Sequence, residues 1–339
     1  MLDGVEFLYI DLPKALSLGS YPYVDSLVRR LRPHALIERY YNLAGAGILA
    51  AHRRRIPSLL EVNALIVDPP AVPKRRIDDR LGGPLRRWAT AQCRMAAKIV
   101  TPLATTVPPA IPRDKIVELP WGANIDRFDR HAAGLDPHAL RAELGIPPRR
   151  PVLVFLGSFR AWHGVLDFVH AGLRLLEAGD DVHLLLIGDG PERRAAEAAA
   201  RPWAERFVFA GSVPNETVPR YLALAQVGVA PFNTAPHPAL RAAGFFWSPL
   251  KIYEYMAMSL PVVTARIPPL DRAIRDGQEG ALFREGDIGD LAGAIRRVLA
   301  SPERDALGRR ARLRVERCFS WRRHCEALEQ VLERMVAAA

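Results

Sequence analysis

At 339 residues, 49% hydrophobic and 25% charged, the chain has the composition of a soluble protein with room for two cores, and no apolar run approaches the ~20 residues a membrane helix needs. Its three cysteines, Cys93, Cys318 and Cys325, form no Cys-x-x-Cys pair and its nine histidines show no metal-ligand spacing, which argues against a disulfide framework or a zinc site. Net charge is +10 and uneven: residues 1–130 hold 20 Lys/Arg against 13 Asp/Glu, a balance of +7. The basic clusters are Arg53-Arg54-Arg55, Lys74-Arg75-Arg76 and Arg86-Arg87. Such a face suits anionic lipid headgroups or an anionic substrate, or is solvated surface in an arginine-rich chain; no nucleic-acid-binding motif accompanies it. The opening MLDGVEFLYIDLPK lacks a signal-peptide layout, so the expected location is the cytoplasm, with peripheral attachment to the inner face of the membrane as an option.

In chain order, Val5–Ile10 reads as a strand, Tyr23–Leu31 as a helix, 35–40 as a strand, Gly45–Arg54 as a helix and Ser58–Ala64 as a strand. Pro69, Pro70, Pro73 and the charges up to Asp79 read as a mobile loop. Apolar residues at Leu85, Trp88, Ala89, Met95 and Ala96 give amphipathic helical spacing across 82–98, and short strands follow at Ile99–Pro102 and Lys115–Pro120. This alternation predicts a parallel, doubly wound α/β sheet. Two polar sets fall at strand C-termini, where open α/β sheets place their sites. Glu38 with Arg39, and Glu61 with Asn63, are therefore acceptor-side candidates, a surface ion pair and a loop cap being the structural alternatives. No strand, Gly-rich turn and helix stand before Ala35, so the first domain is expected to be incomplete, as in an N-terminally shortened chain with exposed apolar edges.

After a linker around His131–Pro148, the continuous apolar run Pro151–Leu156 predicts a buried parallel strand. It enters GSFRAWHG at 157–164 and then a helix over Val165–Ala178, a layout that lets backbone approach a phosphate, with Arg160 and His163 adding charge. Strands follow at Asp181–Ile187, Phe207–Ala210 and Val227–Phe232, with a short helix at Val218–Ala225 and a disordered-looking Asn233–Gly244. Gly188-Asp189-Gly190 imitates a dinucleotide fingerprint, but Arg193 stands where the third glycine belongs, which excludes a dehydrogenase. In 246–261, Ser248 reads as a helix cap and Pro249 as a first-turn residue, so the N–H groups at that helix start suit phosphate. Glu254, further along, suits sugar hydroxyls. A strand at Val262–Ala265 and helices at Leu291–Leu299, Ala306–Glu316 and Trp321–Val336 close the chain.

The order of these signals resembles glycosyltransferase family 4. The resemblance is carried by LPWGANIDRF at 119–128, GSFRAWHG at 157–164, LLLIGDGPE at 184–192, FAGSVP at 209–214 and SPLKIYEYMAMSLPVV at 248–263, and it covers the chain from about Ala35 onward. It implies a GT-B architecture of two facing Rossmann-like domains, the first incomplete. The expected domains are an acceptor side (1–130), a donor side (131–320) and a closing helix (321–339) that returns to the first. It also implies retaining transfer from a nucleoside-diphosphate sugar to a glycan, lipid or small-molecule acceptor, with no cofactor. No Asp-x-Asp occurs, so a metal-clamped mechanism is not expected.

Carried onto this chain, Gly157, Ser158, Arg160, His163 and Gly164 would face the diphosphate together with Ser248, Pro249, Leu250 and Lys251. Gly211, Val213 and Pro214 would lie near the base, and Glu254 would hold the ribose. Arg160, His163 and Glu254 are the catalytic candidates. The chain departs from the family at Ser158 and His163, where the family has Arg and Lys, so Arg160 and Lys251 are expected to supply the cation. It departs again at Phe246, where the family has a second carboxylate. That loss and the incomplete first domain keep open a non-catalytic nucleotide-sugar-binding remnant, and a nucleotide-sugar epimerase is a further alternative.

Overall fold

The structure is a computed structural model that describes residues 6–132 and 136–338. Its contacts divide the chain into two compact units, one of residues up to Pro120 together with Glu326 onward, the other Trp121–Cys325.

The first unit runs α1 (Tyr21–Leu31), β1 (Leu36–Arg39), α2 (Ala46–Arg54), β2 (Ser58–Glu61), α3 (Pro73–Arg80), α4 (Pro84–Met95), β3 (Lys98–Thr101) and β4 (Ile116–Glu118). The strands pair in parallel in the order β1-β2-β3-β4. Because side chains alternate along a strand, Leu60 and Ile99 point to one face, with Ile48, Ala89 and Cys93. Their neighbours Leu59 and Val100 point to the other, where Val331 and Met335 cover them. β1 is an edge strand, and its Ile37 is exposed.

Two expectations fail in this unit. Residues 6–10 of the expected strand Val5–Ile10 form no regular element, and Val5 lies outside the described residues. The expected loop over 69–79 contains α3. Pro73 sits at that helix's start, where a missing N–H costs nothing, and Arg75 pairs with Asp79 one turn on. The carboxylate of Asp78 then accepts the Leu85 and Arg86 N–H groups at 2.8 and 3.2 Å, which fixes the start of α4.

The second unit runs α5 (Pro137–Glu143), β5 (Val152–Leu156), α6 (Val165–Glu177), β6 (His183–Ile187), α7 (Arg193–Ala200), β7 (Phe207–Gly211), α8 (Val218–Leu222), β8 (Val227–Ala230), α9 (Pro238–Ala243), α10 (Leu250–Ala257), β9 (Val262–Ala265), α11 (Leu270–Ala273), β10 (Gly280–Phe283), α12 (Ile288–Leu299) and α13 (Arg304–Cys318). The last helix, α14 (Trp321–Ala337), starts in this unit, and its residues from Glu326 belong to the first. The six strands are parallel in the order β10-β9-β8-β5-β6-β7. β5 starts the sheet at its centre, β6 and β7 extend it one way, and β8, β9 and β10 the other. The direction of winding therefore reverses between β5 and β8. In such sheets the crevice beyond the strand C-termini at the reversal is where ligands bind. β5 and β6 are buried along almost their whole length, which explains their continuous apolar sequences.

Sequence reading differs from the structure at four segments here. The linker 131–148 contains α5, started by Asp136, whose carboxylate accepts the His138 and Ala139 N–H groups. The disordered-looking 233–244 contains α9, capped by the His237 ring, which accepts the Leu240 N–H at 3.3 Å. Neither α7 nor β10 was expected. α7 buries only the small side chains Ala196 and Ala200, and β10 opens on Gly280 directly after the polar turn 276–279.

Candidate functional site

The site is built where β5 ends. Gly157 follows β5 with φ +135°, and its N–H donates to the Ile187 carbonyl of β6. The turn is then held by Phe159, which is buried and whose N–H donates to Asp189 O at 2.8 Å. Gly164 closes the turn at φ +73°, with the Pro231 carbonyl oxygen 1.8 Å from where a Cβ would stand, so no side chain fits. α6 begins immediately after, with no side-chain cap on its first N–H groups.

Two ionisable side chains, Lys251 and His163, meet at this turn. Lys251, on the first turn of α10, is buried, and its Nζ lies over the Phe155 and Phe232 rings at 4.3 and 4.9 Å from their centroids. It stands 3.3 Å from His163 Nδ1, so the ammonium donates and the ring accepts. Ser158 Oγ is 3.4 Å from the same nitrogen. Burial pulls the lysine pKa down to about 7, with Glu254 working against the shift. Burial, and then the charges of Lys251 and Arg160, pushes His163 down to about 2, so its ring is neutral at physiological pH. With Nδ1 accepting, the ring proton sits on Nε2, which has no hydrogen-bond partner among the described residues.

Glu254 lies three residues beyond Lys251 on the same helix face. It is partly buried, and burial raises its pKa to about 7 against the pull of Lys251. Among the described residues no donor hydrogen-bonds its carboxylate. A carboxylate this desolvated without a partner is poised for a ligand donor. α10 itself is pinned by Tyr255, whose hydroxyl accepts the Leu156 N–H at 2.7 Å and donates to Val229 O at 3.4 Å. Those two bonds tie the helix to the ends of β5 and β8.

The remaining expected donor-side residues are placed as follows. Arg160 is exposed, close enough to His163 to depress its protonation, and its guanidinium has no hydrogen-bond or ion-pair partner among the described residues. Ser248 does not cap α10: its Oγ accepts the Trp121 N–H at 2.9 Å, the helix begins at Leu250, and Pro249 is the residue before it. Leu250 N–H is already spent on Ser248 O. Gly211 has φ +72° and its carbonyl accepts the Gly188 N–H, with Val213 and the exposed Pro214 just beyond the end of β7. β7 is two strands from β5, about 10 Å across the sheet. Phe246 is buried against Trp247, with ring centroids 4.6 Å apart.

The acceptor-side candidates belong to the first unit. The Glu38 carboxylate accepts the Gly45 and Ile48 N–H groups at 2.8 and 2.6 Å, capping α2, and burial still raises its pKa. Arg39 lies over the Tyr41 ring at 5.9 Å. Asn63 Nδ2 donates to Glu61 at 2.9 Å, and Asn63 Oδ1 is buried without a partner.

Sequence reasoning missed Phe155, Phe232 and Tyr255. All three were visible as aromatics at strand ends or beside Glu254, but nothing in one dimension showed that they converge on a lysine and a helix.

Residues 150–301 match the family model described as Glycosyl transferases group 1. Among curated proteins the chain is 26% identical over 264 residues to 2-deoxystreptamine glucosyltransferase of Streptomyces kanamyceticus, covering 76% of this chain and 65% of that one. It is 28% identical over 230 residues to D-inositol 3-phosphate glycosyltransferase of Nocardia farcinica, covering 64% and 47%. The chain thus spans about half to two thirds of the length of these relatives. Among solved structures, sucrose-phosphate synthase of Thermosynechococcus elongatus superposes with a TM-score of 0.70 at 21% identity, covering 97% of this chain and 81% of the other. Anabaena HepE, solved in complex with UDP and glucose, gives 0.71 at 18% identity, covering 96% and 85%. The α/β fold, two units each with a parallel sheet, is that of the GT-B glycosyltransferases.

Proposed function

We propose that this chain is a retaining, metal-independent glycosyltransferase of family 4 that takes a sugar from a nucleoside-diphosphate donor. The observation that supports this most is the contact of Lys251 with His163 at a glycine-bounded turn at the winding reversal of the second sheet, with Glu254, which has no hydrogen-bond partner among the described residues, one turn along the same helix. In this reading Glu254 accepts from the ribose hydroxyls, and the diphosphate lies along the turn 157–164 and the start of α6. The base reaches the edge at Gly211–Pro214.

As an acceptor hydroxyl oxygen bonds to the sugar C1, the bond between C1 and the phosphate oxygen breaks, its electron pair stays on the diphosphate, and the hydroxyl proton passes to the departing diphosphate oxygen. Charge developing there is met by the Lys251 ammonium, by the His163 Nε2–H and by backbone N–H groups, with Arg160 added from the exposed side. These groups make up the phosphate-binding surface without metal ligands. The likeness to 2-deoxystreptamine glucosyltransferase and to D-inositol 3-phosphate glycosyltransferase supports a hydroxyl-rich acceptor, a glycan, a lipid headgroup or a small molecule. The place of action in this reading is the cytoplasm or the inner face of a membrane; no helix among the described residues is long and apolar enough to cross one.

One observation favours a second reading. Phe246 is buried and apolar at the position where the family resemblance calls for a carboxylate, which suits a protein that binds the nucleotide sugar without turning it over. Calorimetric titration with UDP, GDP and dTDP and their glucose or mannose conjugates separates the possibilities. Binding of one nucleotide with slow donor hydrolysis supports the transferase, and binding with no hydrolysis supports the second reading. Glu254→Gln is expected to weaken nucleotide binding by roughly tenfold, the loss of hydrogen bonds to a charged group. Full affinity in that variant would remove Glu254 from the ribose.

A further inference from the structure

The first unit contains a cavity of about 960 Å³ that plays no part in the reading above. It opens at the N-terminal ends of the strands: Ser58 and Lys98, the first residues of β2 and β3, line it. Glu61 and Thr101 mark the opposite ends of the same strands, about 10 Å away, where an α/β sheet places its catalytic groups. The volume falls in the range of small-molecule sites.

Its lining is of two kinds. Ile56, Met95, Val117, Val331 and Met335 give an apolar body. His52, Arg55, Lys98 and Arg334 give cations, and no carboxylate lines the cavity among the described residues. Lys98 is partly engaged, donating to the Asp114 carbonyl at 2.8 Å. The side chains of His52, Arg55 and Arg334 have no hydrogen-bond or ion-pair partner among the described residues. The contrast inside one basic run is informative. Arg53 donates to the Tyr21 hydroxyl and Arg54 forms a forked pair with Asp25, whereas Arg55, turned by φ +56° at the end of α2, faces the cavity.

We propose that this cavity binds a single long-chain phosphate monoester, its alkyl chain among the apolar side chains and its phosphate against Arg55 and Arg334. Guanidinium groups with no ion-pair partner among the described residues match a multiply charged oxyanion, for which the arginine fork is suited. The mixed lining excludes a purely inorganic ion as the preferred occupant, because burial of an alkyl chain adds about fourfold in affinity per methylene.

Titration of the full chain with hexyl, octyl and decyl phosphate, below their micelle concentrations, tests this. One-to-one binding that tightens about fifteenfold with each added pair of methylenes is expected. Inorganic phosphate and the uncharged octyl glucoside are expected to bind at least tenfold more weakly. Arg55→Glu with Arg334→Glu should cost tenfold or more, Ala338→Trp should block the chain at the cavity mouth, and Arg241→Glu, in the other unit, should change nothing. Thermal melts of each variant confirm folding. Equal affinity for octyl phosphate and inorganic phosphate, or retention of binding by both cavity variants, would overturn the proposal. So would capture by anionic vesicles without binding of the dispersed amphiphile, which would make this basic surface a membrane contact instead.

Discussion

Lys251 carries most of the site's electrostatics. Its ammonium is buried over two aromatic rings and beside a neutral histidine, with Glu254 the nearest compensating charge. Its folded pKa of about 7 lies below its ordinary 10.5, so the unfolded chain binds more protons between those values and stability rises across that window. Glu254 works in the opposite sense: its folded pKa of about 7 lies above its ordinary 4.5, so its contribution is lost as pH rises from 4.5 through 7. Lys251→Met keeps the packing and removes the buried charge. It should raise stability at pH 7 by at least about 1 kcal/mol and abolish the gain between pH 7 and 10, read by urea denaturation at both values. The same variant should lose tenfold or more in affinity for inorganic pyrophosphate. A variant less stable than the parent at pH 7 would show that the ammonium is better compensated than its contacts indicate. In the parent, pyrophosphate binding near pH 7.5 should take up a proton, because an anion beside Lys251 favours its charged form; titration in buffers of different ionisation enthalpy reads that uptake directly.

At the scale of elements, the site depends on how α10 is held. Tyr255 joins it to β5 and β8 through one hydroxyl, and Gly228 leaves room for the ring, which would stand 2.5 Å from a Cβ there. Tyr255→Phe leaves the Leu156 N–H unsatisfied in a buried setting. It should cost about 1–3 kcal/mol, measured by denaturant unfolding, and should weaken nucleotide binding as Lys251 and Glu254 lose their register. A loss of stability with unchanged binding would place the support of α10 elsewhere. Sequence reading located α10 and Glu254 from apolar spacing and the Ser-Pro start, but assigned Ser248 a cap that it does not make. A serine before a helix is ambiguous in one dimension, and here the Trp121 N–H, 127 residues away, claims its oxygen. α3 and α9 were hidden by their composition. Proline-rich, polar segments read as loops, and their order is visible only in local capping bonds: Asp78 at the end of α3 caps the following helix, and the His237 ring, an unusual cap, holds the start of α9.

Over the whole molecule, the two units have separate cores, one extending through β5 to β10 and the others on the two faces of the first sheet. Calorimetry is expected to resolve two unfolding transitions. A bound nucleotide at a hundredfold excess over its Kd should raise the stability of the second unit alone by about 2.7 kcal/mol. A single transition that moves as one would show that the units unfold together.

The amino-acid sequence by itself determined the alternation of strands and helices, the buried parallel strands and the turn at 157–164. Hydrophobic period and glycine placement are local properties that survive projection onto one dimension. It also singled out Lys251, His163 and Glu254 as candidates through their order in a set of motifs. Only the tertiary structure decided that Lys251 and His163 share a hydrogen bond, that Phe246 is sealed against Trp247, and that Glu38 caps α2. Those outcomes depend on which side chains the sheet brings within about 3–5 Å of one another, and separations of 88 residues, as between His163 and Lys251, are closed by topology rather than by any local preference.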